Sequence, residues 1–332
     1  MAQLGRNLMQ QGKLVTQFIR PASMWYLIEH AKQQNPQMRQ HPDILHPPLY
    51  PALLAAGFKL VPGGFSESQT SRTFAPEQWV VVPVNLLFTV FTGLLVFLIA
   101  GRLFDPRVAL LGITLFFLSD ATWSMAISGT GTSVATFWST LAIYAALLTA
   151  GRRPEARSRW PGLLALAACA AFSALAFLTR YGCAAMVPAL ALFLGWSARQ
   201  RKALVVSTYV TLFLLFISPW LVRNWLVSGG LLGLAPYVAL NGSDHVLENV
   251  FERTLAQNLR LGDIFSTLQS KLLTGVANLY RGDLRTLGDG LLGAFFFTTF
   301  FYSFAREHVR RLCEKEIAPH HAAWEEAQVL WS

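Results

Sequence analysis

The chain has 332 residues, of which 53% are hydrophobic and only 14% are charged. Soluble globular proteins carry about 25% charged residues, so this composition excludes an ordinary cytosolic enzyme and a disordered chain. The cysteines Cys169, Cys183 and Cys313 are too few and too scattered for a disulfide framework or a paired-cysteine metal site. The net charge of +9 would indicate nucleic acid in a soluble protein. Here the basic residues lie between apolar runs, which indicates membrane topology and no nucleic-acid partner.

Seven apolar stretches predict membrane-spanning helices. A spanning helix needs roughly 20 apolar residues, because about 30 Å of hydrocarbon is crossed at about 1.5 Å per residue. The predicted spans are residues 78–101, 108–127, 133–150, 160–179, 181–198, 203–222 and 290–305. We therefore expect an all-α fold, a polytopic transmembrane helix bundle with amphipathic juxtamembrane helices.

The basic residues between the spans predict the orientation of the chain. Arg102 and Arg107 follow the first span, and further groups of Lys and Arg follow the third, fifth and seventh spans. The alternate connections are poor in charge, since residues 128–132 have none and the turn before Tyr181 has only Arg180. Because short loops rich in Lys and Arg stay in the cytoplasm, we expect these alternate connections to lie outside it.

This topology divides the chain into five segments. Residues 1–77 form an extracytoplasmic juxtamembrane segment that contains the turn HPPLY. A six-span bundle, an extracytoplasmic amphipathic segment, a seventh span and a cytoplasmic tail follow, over residues 78–222, 223–289, 290–305 and 306–332. The apolar periodicity of residues 52–61, 248–261 and 264–280 is typical of helices that lie on a membrane surface or over a cavity.

Four short stretches resemble the GT-C membrane glycosyltransferases, which include the aminoarabinose transferases and the protein O-mannosyltransferases. The first stretch is PDILHPPLYP at residues 42–51, which is followed by an interfacial helix and then by a span. The others are AQLGRNLMQQG at 2–12, FLTRY at 177–181 and PWLVRN at 219–224. The resemblance therefore extends over roughly residues 2–305.

The resemblance implies a membrane enzyme of GT-C type that transfers a sugar from a polyprenyl-phosphate-linked donor to a lipid, glycan or protein acceptor at the extracytoplasmic face. In the family, an acidic residue of the first outer loop acts as the base, and the polyprenyl phosphate leaves. That motif and its span would precede Ala2, and Gly131-Thr132 stands where members often carry an acidic residue. We therefore expect a fragment of such an enzyme, in a bacterial inner membrane, with little or no activity alone. The alternative is a non-catalytic scaffold or transport subunit that keeps the fold without the acidic motif.

Three side chains of the 42–51 stretch are candidates for chemistry. Asp43 is the only carboxylate near the turn and is the candidate base. His46 is expected to hold the donor phosphate or an acceptor group, since an imidazolium donates two hydrogen bonds, or to be a surface histidine. Tyr50 is a candidate substrate contact or an interfacial anchor. Asp43, His46 and His41 are also possible metal ligands, but no fixed secondary structure aims them at one point, so we expect no metal and no cofactor.

Three charged residues lie near the ends of predicted spans. Arg180 stands between two spans and Arg223 follows another, so each is expected to bind the donor phosphate or to reach lipid headgroups as an anchor. A carboxylate at the depth of Asp120 costs roughly 2.5–3.5 kcal/mol on insertion scales unless it faces the protein interior. We expect Asp120 to pair with an arginine such as Arg180, or to contact substrate. The polar residues 128–132 are interpreted as a tight turn and not as a phosphate cradle.

Overall fold

The computed structural model describes residues 1–17, 21–33, 40–61, 78–150, 160–198, 201–238, 266–267 and 269–274. The α-helices of these residues are α1 (Ala2–Gln11), α2 (Pro21–Glu29), α3 (Leu49–Lys59), α4 (Gln78–Leu103), α5 (Pro106–Leu118), α6 (Asp120–Ile127), α7 (Thr132–Ala150), α8 (Trp160–Thr179), α9 (Met186–Ser197), α10 (Lys202–Ser228) and α11 (Ala235–Val238). A 3₁₀ helix, Tyr181–Ala185, precedes α9. Two short antiparallel strands, β1 (Val15–Thr16) and β2 (His41–Pro42), pair Thr16 with His41.

Four of the described helices are long and apolar enough to cross a membrane, namely α4, α7, α8 and α10, and the bent pair of α5 and α6 makes a fifth span if it is counted as one. This confirms the prediction of an all-α polytopic bundle. The predicted seventh span, the tail and the helix at 248–261 lie outside the described residues. Of the predicted helix at 264–280, only residues 266–267 and 269–274 are described, and they are helical.

The second predicted span is not one straight helix. Its two halves, α5 and α6, are bent by 55° at Ser119, whose φ of −70° and ψ of 124° are those of extended backbone. The indole Nε1 of Trp123 donates to the carbonyl of Phe117 at 2.7 Å. This bond pairs the carbonyl of Phe117, which lies beside the break. A backbone carbonyl left unpaired in an apolar environment would cost free energy.

Two further spans differ in length from their predictions. The fifth predicted span is a 3₁₀ turn followed by α9, and the apolar stretch Tyr181–Ser197 is shorter than the other spanning helices. By contrast, α10 continues beyond the predicted end at residue 222 as far as Ser228. The helix ends at its C-cap Gly229, whose φ of 73° is left-handed and whose N–H donates to the carbonyl of Trp225.

The core of the bundle lies between α7, α8 and α10. Small residues line the facing surfaces of α7 and α8 and allow the two helices to approach closely; they are Ala142, Ala145, Ala146, Cys169, Ala170 and Ala174. Tyr209 of α10 is fully buried, and its hydroxyl lies 2.9 Å from the hydroxyl of Ser173. These two buried hydroxyl groups are thus paired with each other within the protein.

The N-terminal helices pack against the start of α4. Tyr50, Leu54 and Phe58 form the buried face of α3 and contact Val80 and Val81. Helix α1 crosses this helix at Gly5, where a Cβ would lie 2.9 Å from that of Leu54. The predicted helix at 52–61 therefore exists as α3, and its packing fixes the position of the turn that precedes it.

Candidate functional site

Asp43 organises the turn between β2 and α3. Its side chain is 3% exposed, and its Oδ1 accepts the backbone N–H groups of Leu45 at 3.0 Å and His46 at 2.7 Å. Its Oδ2 lies 3.0 Å from Nδ1 of His46. An ionised carboxylate only accepts hydrogen bonds, so Nδ1 of His46 donates in this contact.

His46 and Arg180 share one cavity of about 510 Å³. The cavity is lined by Met1, Leu45, His46, Pro47, Thr130, Thr179, Arg180, Tyr181, Gly182 and Ala235. Its walls thus come from the residue before α1, the turn before α3, the turn before α7, the junction of α8 with the 3₁₀ helix, and α11. The side chain of His46 is 23% exposed, which leaves part of the ring accessible from the cavity.

Arg180 is held in the cavity by the turn at residues 128–132. Its Nη1 donates to the hydroxyl of Thr132 at 2.8 Å. That hydroxyl lies 2.9 Å from the hydroxyl of Thr130, which in turn lies 2.8 Å from that of Ser128. The segment is the tight turn that its sequence predicts, but it also supplies a chain of hydroxyl groups that positions the guanidinium.

Tyr181 places a phenol on the cavity wall next to Arg180. Its oxygen accepts Nε1–H of Trp220 at 2.7 Å and Nδ2–H of Asn224 at 3.5 Å. Because these donors occupy the lone pairs of the phenol oxygen, the O–H itself is available to donate elsewhere. The sequence predicts no functional role for Tyr181 or Thr132. The available signal was an aromatic residue and a hydroxyl-rich turn, both next to a solitary arginine.

Arg223 lies behind the Asp43 turn and is not one of the cavity-lining residues. Its Nη1 donates to the backbone carbonyl of Asp43 at 2.8 Å and to Oδ1 of Asn224 at 3.0 Å. Its guanidinium carbon is 4.8 Å from the centroid of the Trp220 ring. Arg223 therefore connects α10 to the turn that carries His46.

Tyr50 is fully buried and lies outside the cavity lining. Asn85 of α4 donates to its hydroxyl at 3.1 Å, and burial raises the pKa of the phenol to about 12. The ring lies against Gly131, where a Cβ would be 2.7 Å from ring carbons. Tyr50 thus packs against the hydroxyl turn and lies outside the lining of the cavity.

Asp120 is exposed and begins α6 immediately after the break at Ser119. In the part of the chain that the structure describes, no ion pair joins it to Arg180, whose Nη1 instead reaches Thr132. The bend explains the difference, because it moves Asp120 from the interior of a predicted helix to a helix N-terminus, where a carboxylate is favourable. Within the described residues, no three His, Cys, Asp or Glu side chains come together as a metal site.

Comparison with known families identifies the scaffold that carries this cavity. The family model of the dolichyl-phosphate-mannose-protein mannosyltransferases matches residues 45–225, just over half of the chain, and this range includes His46, Arg180 and Arg223. Searches of curated proteins and of solved structures give no match. The chain is a multi-pass membrane protein and belongs to the dolichyl-phosphate-mannose-protein mannosyltransferase family of GT-C-type membrane glycosyltransferases.

Proposed function

We propose that the cavity shared by His46 and Arg180 is where a sugar passes from a polyprenyl-phosphate-linked donor to an acceptor hydroxyl, at the extracytoplasmic face of a bacterial inner membrane. The observation that carries the proposal is that these two side chains, which are 134 positions apart in the sequence, line one cavity of about 510 Å³. Family membership supports a glycosyl transfer reaction in the membrane.

The donor phosphate matches the hydrogen-bond donors on one wall of the cavity. Arg180 supplies a permanent positive charge, and Tyr181 supplies an O–H that its other contacts leave available. Hydrogen bonds between a guanidinium and a phosphate are short and strong, and are often bidentate. When the bond between sugar and phosphate breaks, the leaving phosphate gains negative charge, which these fixed donors stabilise.

The surroundings of the cavity also suit a lipid substrate. Thr130 lies in the turn between the apolar helices α6 and α7, so the cavity opens at the level where these helices end. The side chains of Trp123, Met125 and Ile127 on α6 are exposed and apolar. A polyprenyl chain could lie along this surface in the bilayer while its phosphate reaches Arg180.

The orientation proposed for the cavity follows from the charges of the chain. The turn at 128–132, which follows α6, carries no charge. By contrast, Arg102 and Arg107 flank the short connection between the end of α4 and the start of α5. Short connections rich in arginine remain in the cytoplasm. The turn that lines the cavity therefore belongs on the extracytoplasmic side.

Transfer in proteoliposomes tests this function. Purified protein is supplied with undecaprenyl phosphate mannose carrying radiolabelled mannose, together with membrane extract as the source of acceptor, and the label that leaves the lipid is counted. Arg180→Gln should reduce the rate by roughly 10- to 100-fold, since a hydrogen bond to a charged group contributes about 1.5–3 kcal/mol. The matched control is Arg102→Gln, which removes an exposed arginine at the end of α4. No transfer by the wild-type chain would overturn the proposal and favour a non-catalytic scaffold. Equal rates for both variants would overturn the role of Arg180 in holding the donor phosphate.

A further inference from the structure

We propose that Gly182 is a specificity-determining residue, because the side chain that it lacks leaves room for the sugar of the donor. The inference rests on the proposed glycosyl transfer and assigns the place of the donor sugar within that site. Gly182 lines the cavity directly after Arg180 and Tyr181. A Cβ built on Gly182 would meet no atom within 4 Å beyond its chain neighbours and the backbone of its own helix. Open space therefore begins where a side chain at this position would start.

The 3₁₀ helix directs position 182 away from the neighbouring spans. Such a helix has about three residues per turn, so Tyr181, Gly182 and Cys183 present their side-chain positions in three directions. Tyr181 is directed to α10, where its hydroxyl oxygen accepts Nε1–H of Trp220 at 2.7 Å. Cys183 is directed to α7, where its Sγ accepts the hydroxyl of Ser139 at 3.8 Å. Position 182 takes the third direction, into the open space.

The backbone at Gly182 does not itself require glycine. Its φ is not among the positive values, unlike those of Gly129, Gly131 and Gly229. An L-residue can therefore adopt the same conformation without the strain of the left-handed region. A side chain at position 182 would leave the backbone in place and would take up cavity volume, so its effect on binding can be separated from an effect on folding.

The wall that contains Gly182 suits a sugar. In a polyprenyl-phosphate sugar, one oxygen joins C1 of the sugar to the phosphorus, so a phosphate held by Arg180 has the sugar directly beside it. Thr179 lines the same wall, and its hydroxyl donates to the carbonyl of Leu175 at 2.7 Å. The oxygen of Thr179 can still accept a hydrogen bond, which a sugar hydroxyl supplies and a hydrocarbon chain does not.

The polyprenyl chain is joined to the same phosphate but has a different wall. The apolar surface proposed for it is on α6, and the turn after α6 brings Thr130 to the cavity. Gly182 belongs to the wall formed where α8 meets the 3₁₀ helix. The sugar and the lipid chain are thus assigned to separate elements, and each can be tested through its own residues.

The wall around Gly182 is fixed on both sides. The N–H of Cys183 donates to the carbonyl of Arg180 at 3.0 Å. The side chains before and after Gly182 are hydrogen-bonded to α10 and to α7. Because well-packed protein yields little to added atoms, methyl groups at position 182 should reduce the room for the sugar and should not displace the helix.

Binding of two lipids to the full chain in lipid nanodiscs tests this assignment. The lipids are undecaprenyl phosphate mannose and undecaprenyl phosphate, which lacks the sugar. Gly182→Val should bind the mannosyl lipid at least about tenfold more weakly than the wild type does, since one methylene group too many in a pocket costs roughly 10- to 200-fold. Gly182→Ala should show a smaller loss, and both variants should bind undecaprenyl phosphate as the wild type does.

The matched control is Gly162→Val in α8. A Cβ at Gly162 would also meet no atom within 4 Å, and this residue is not one of those that line the cavity. The control should bind both lipids with wild-type affinity. Gly182→Val should unfold in detergent at the wild-type temperature, and Gly182→Ala repeats the comparison if valine disturbs the fold.

Two results would overturn the assignment. Equal loss of affinity for both lipids would place the phosphate or the lipid chain beside Gly182, and wild-type affinity of Gly182→Val for the mannosyl lipid would leave Gly182 without a role in specificity. Transfer of mannose in proteoliposomes separates this inference from the proposed function. If the wild-type chain and Gly182→Val transfer mannose equally well, only the role of Gly182 is wrong. If the wild-type chain transfers no mannose, both proposals fail.

Discussion

Oδ2 of Asp43 and Nδ1 of His46 lie 3.0 Å apart in a turn that Arg223 connects to helix α10. The two residues are only three positions apart, so their contact is local. Arg223, which donates to the carbonyl of Asp43, lies 180 positions further along the chain. The turn has no regular secondary structure, and it is held by the carboxylate of Asp43, which belongs to it, and by the guanidinium of Arg223 on α10. This relationship gives the cavity a histidine with a defined ring orientation.

Replacement of Arg223 should affect the rate of transfer more than the binding of the donor. Arg223→Gln removes the bond to the carbonyl of Asp43, and a hydrogen bond to a charged group contributes about 1.5–3 kcal/mol. We expect kcat to fall roughly 10- to 100-fold with little change in KM for undecaprenyl phosphate mannose. Lys202→Gln, at the exposed start of the same helix, is the control. A rise in KM with an unchanged kcat would instead place Arg223 on the donor phosphate.

Substitution of Gly131 should destabilise the protein. Its φ of +72° belongs to the left-handed region, which costs an L-residue roughly 1–2 kcal/mol. A Cβ would also lie 2.7 Å from the ring of Tyr50, and overpacking typically costs about 1–3 kcal/mol. Gly131→Ala should therefore lower the thermal unfolding temperature in detergent, whereas Gly162→Ala, where a Cβ would meet no atom within 4 Å, should not. Equal unfolding temperatures for both variants would refute this account of the turn.

The contribution of Tyr50 to stability should disappear at high pH. Burial raises the pKa of its phenol from 10.0 to about 12 in the folded protein, so the unfolded chain loses the proton first as the pH rises. The stabilisation is complete below pH 10 and is lost as the pH approaches 12. Tyr50→Phe has no such group, so the stability difference between wild type and variant should shrink by about 1 kcal/mol between pH 9 and pH 11. Thermal unfolding at the two pH values measures it, and a constant difference would show that Tyr50 is not held protonated.

Cysteine labelling can test the orientation of the cavity. In a variant with Ser at positions 169, 183 and 313, Ser128→Cys places a thiol in the turn before α7, and Phe104→Cys places one in the connection between α4 and α5. Both positions are exposed. An impermeant maleimide added to intact cells should label the first cysteine and reach the second only after permeabilisation. The reverse pattern would put the cavity on the cytoplasmic side.

Composition and periodicity predict the helices better than the contacts between them. Hydropathy identifies α4, α7, α8 and α10 because the bilayer requires long apolar runs. The break falls at the polar residues Ser119 and Asp120, but a hydropathy average over the whole span does not report the extended backbone conformation of Ser119. The expected pairing of Asp120 with Arg180 is not found among the described residues, because Asp120 lies at the start of α6 and Arg180 contacts Thr132.

The candidate site could be predicted in part. His46 and Arg180 stand at the ends of predicted elements on the same side, so topology alone places them at one end of the bundle. The bond from Arg223 to the Asp43 carbonyl depends on how α10 packs against the N-terminal turn, and the contact between Tyr181 and Trp220 depends on how α10 packs against the 3₁₀ helix. These relationships join residues from distant parts of the sequence, and only the folded chain shows them.

Binding of undecaprenyl phosphate to the purified chain in lipid nanodiscs tests the central claim most directly. The claim is that Arg180 holds the phosphate of a polyprenyl lipid in the cavity that it shares with His46. We expect the wild-type chain and Arg102→Gln to bind with the same affinity and Arg180→Gln to bind at least about tenfold more weakly, which corresponds to about 1.4 kcal/mol. Equal affinity of all three proteins for undecaprenyl phosphate would contradict the claim.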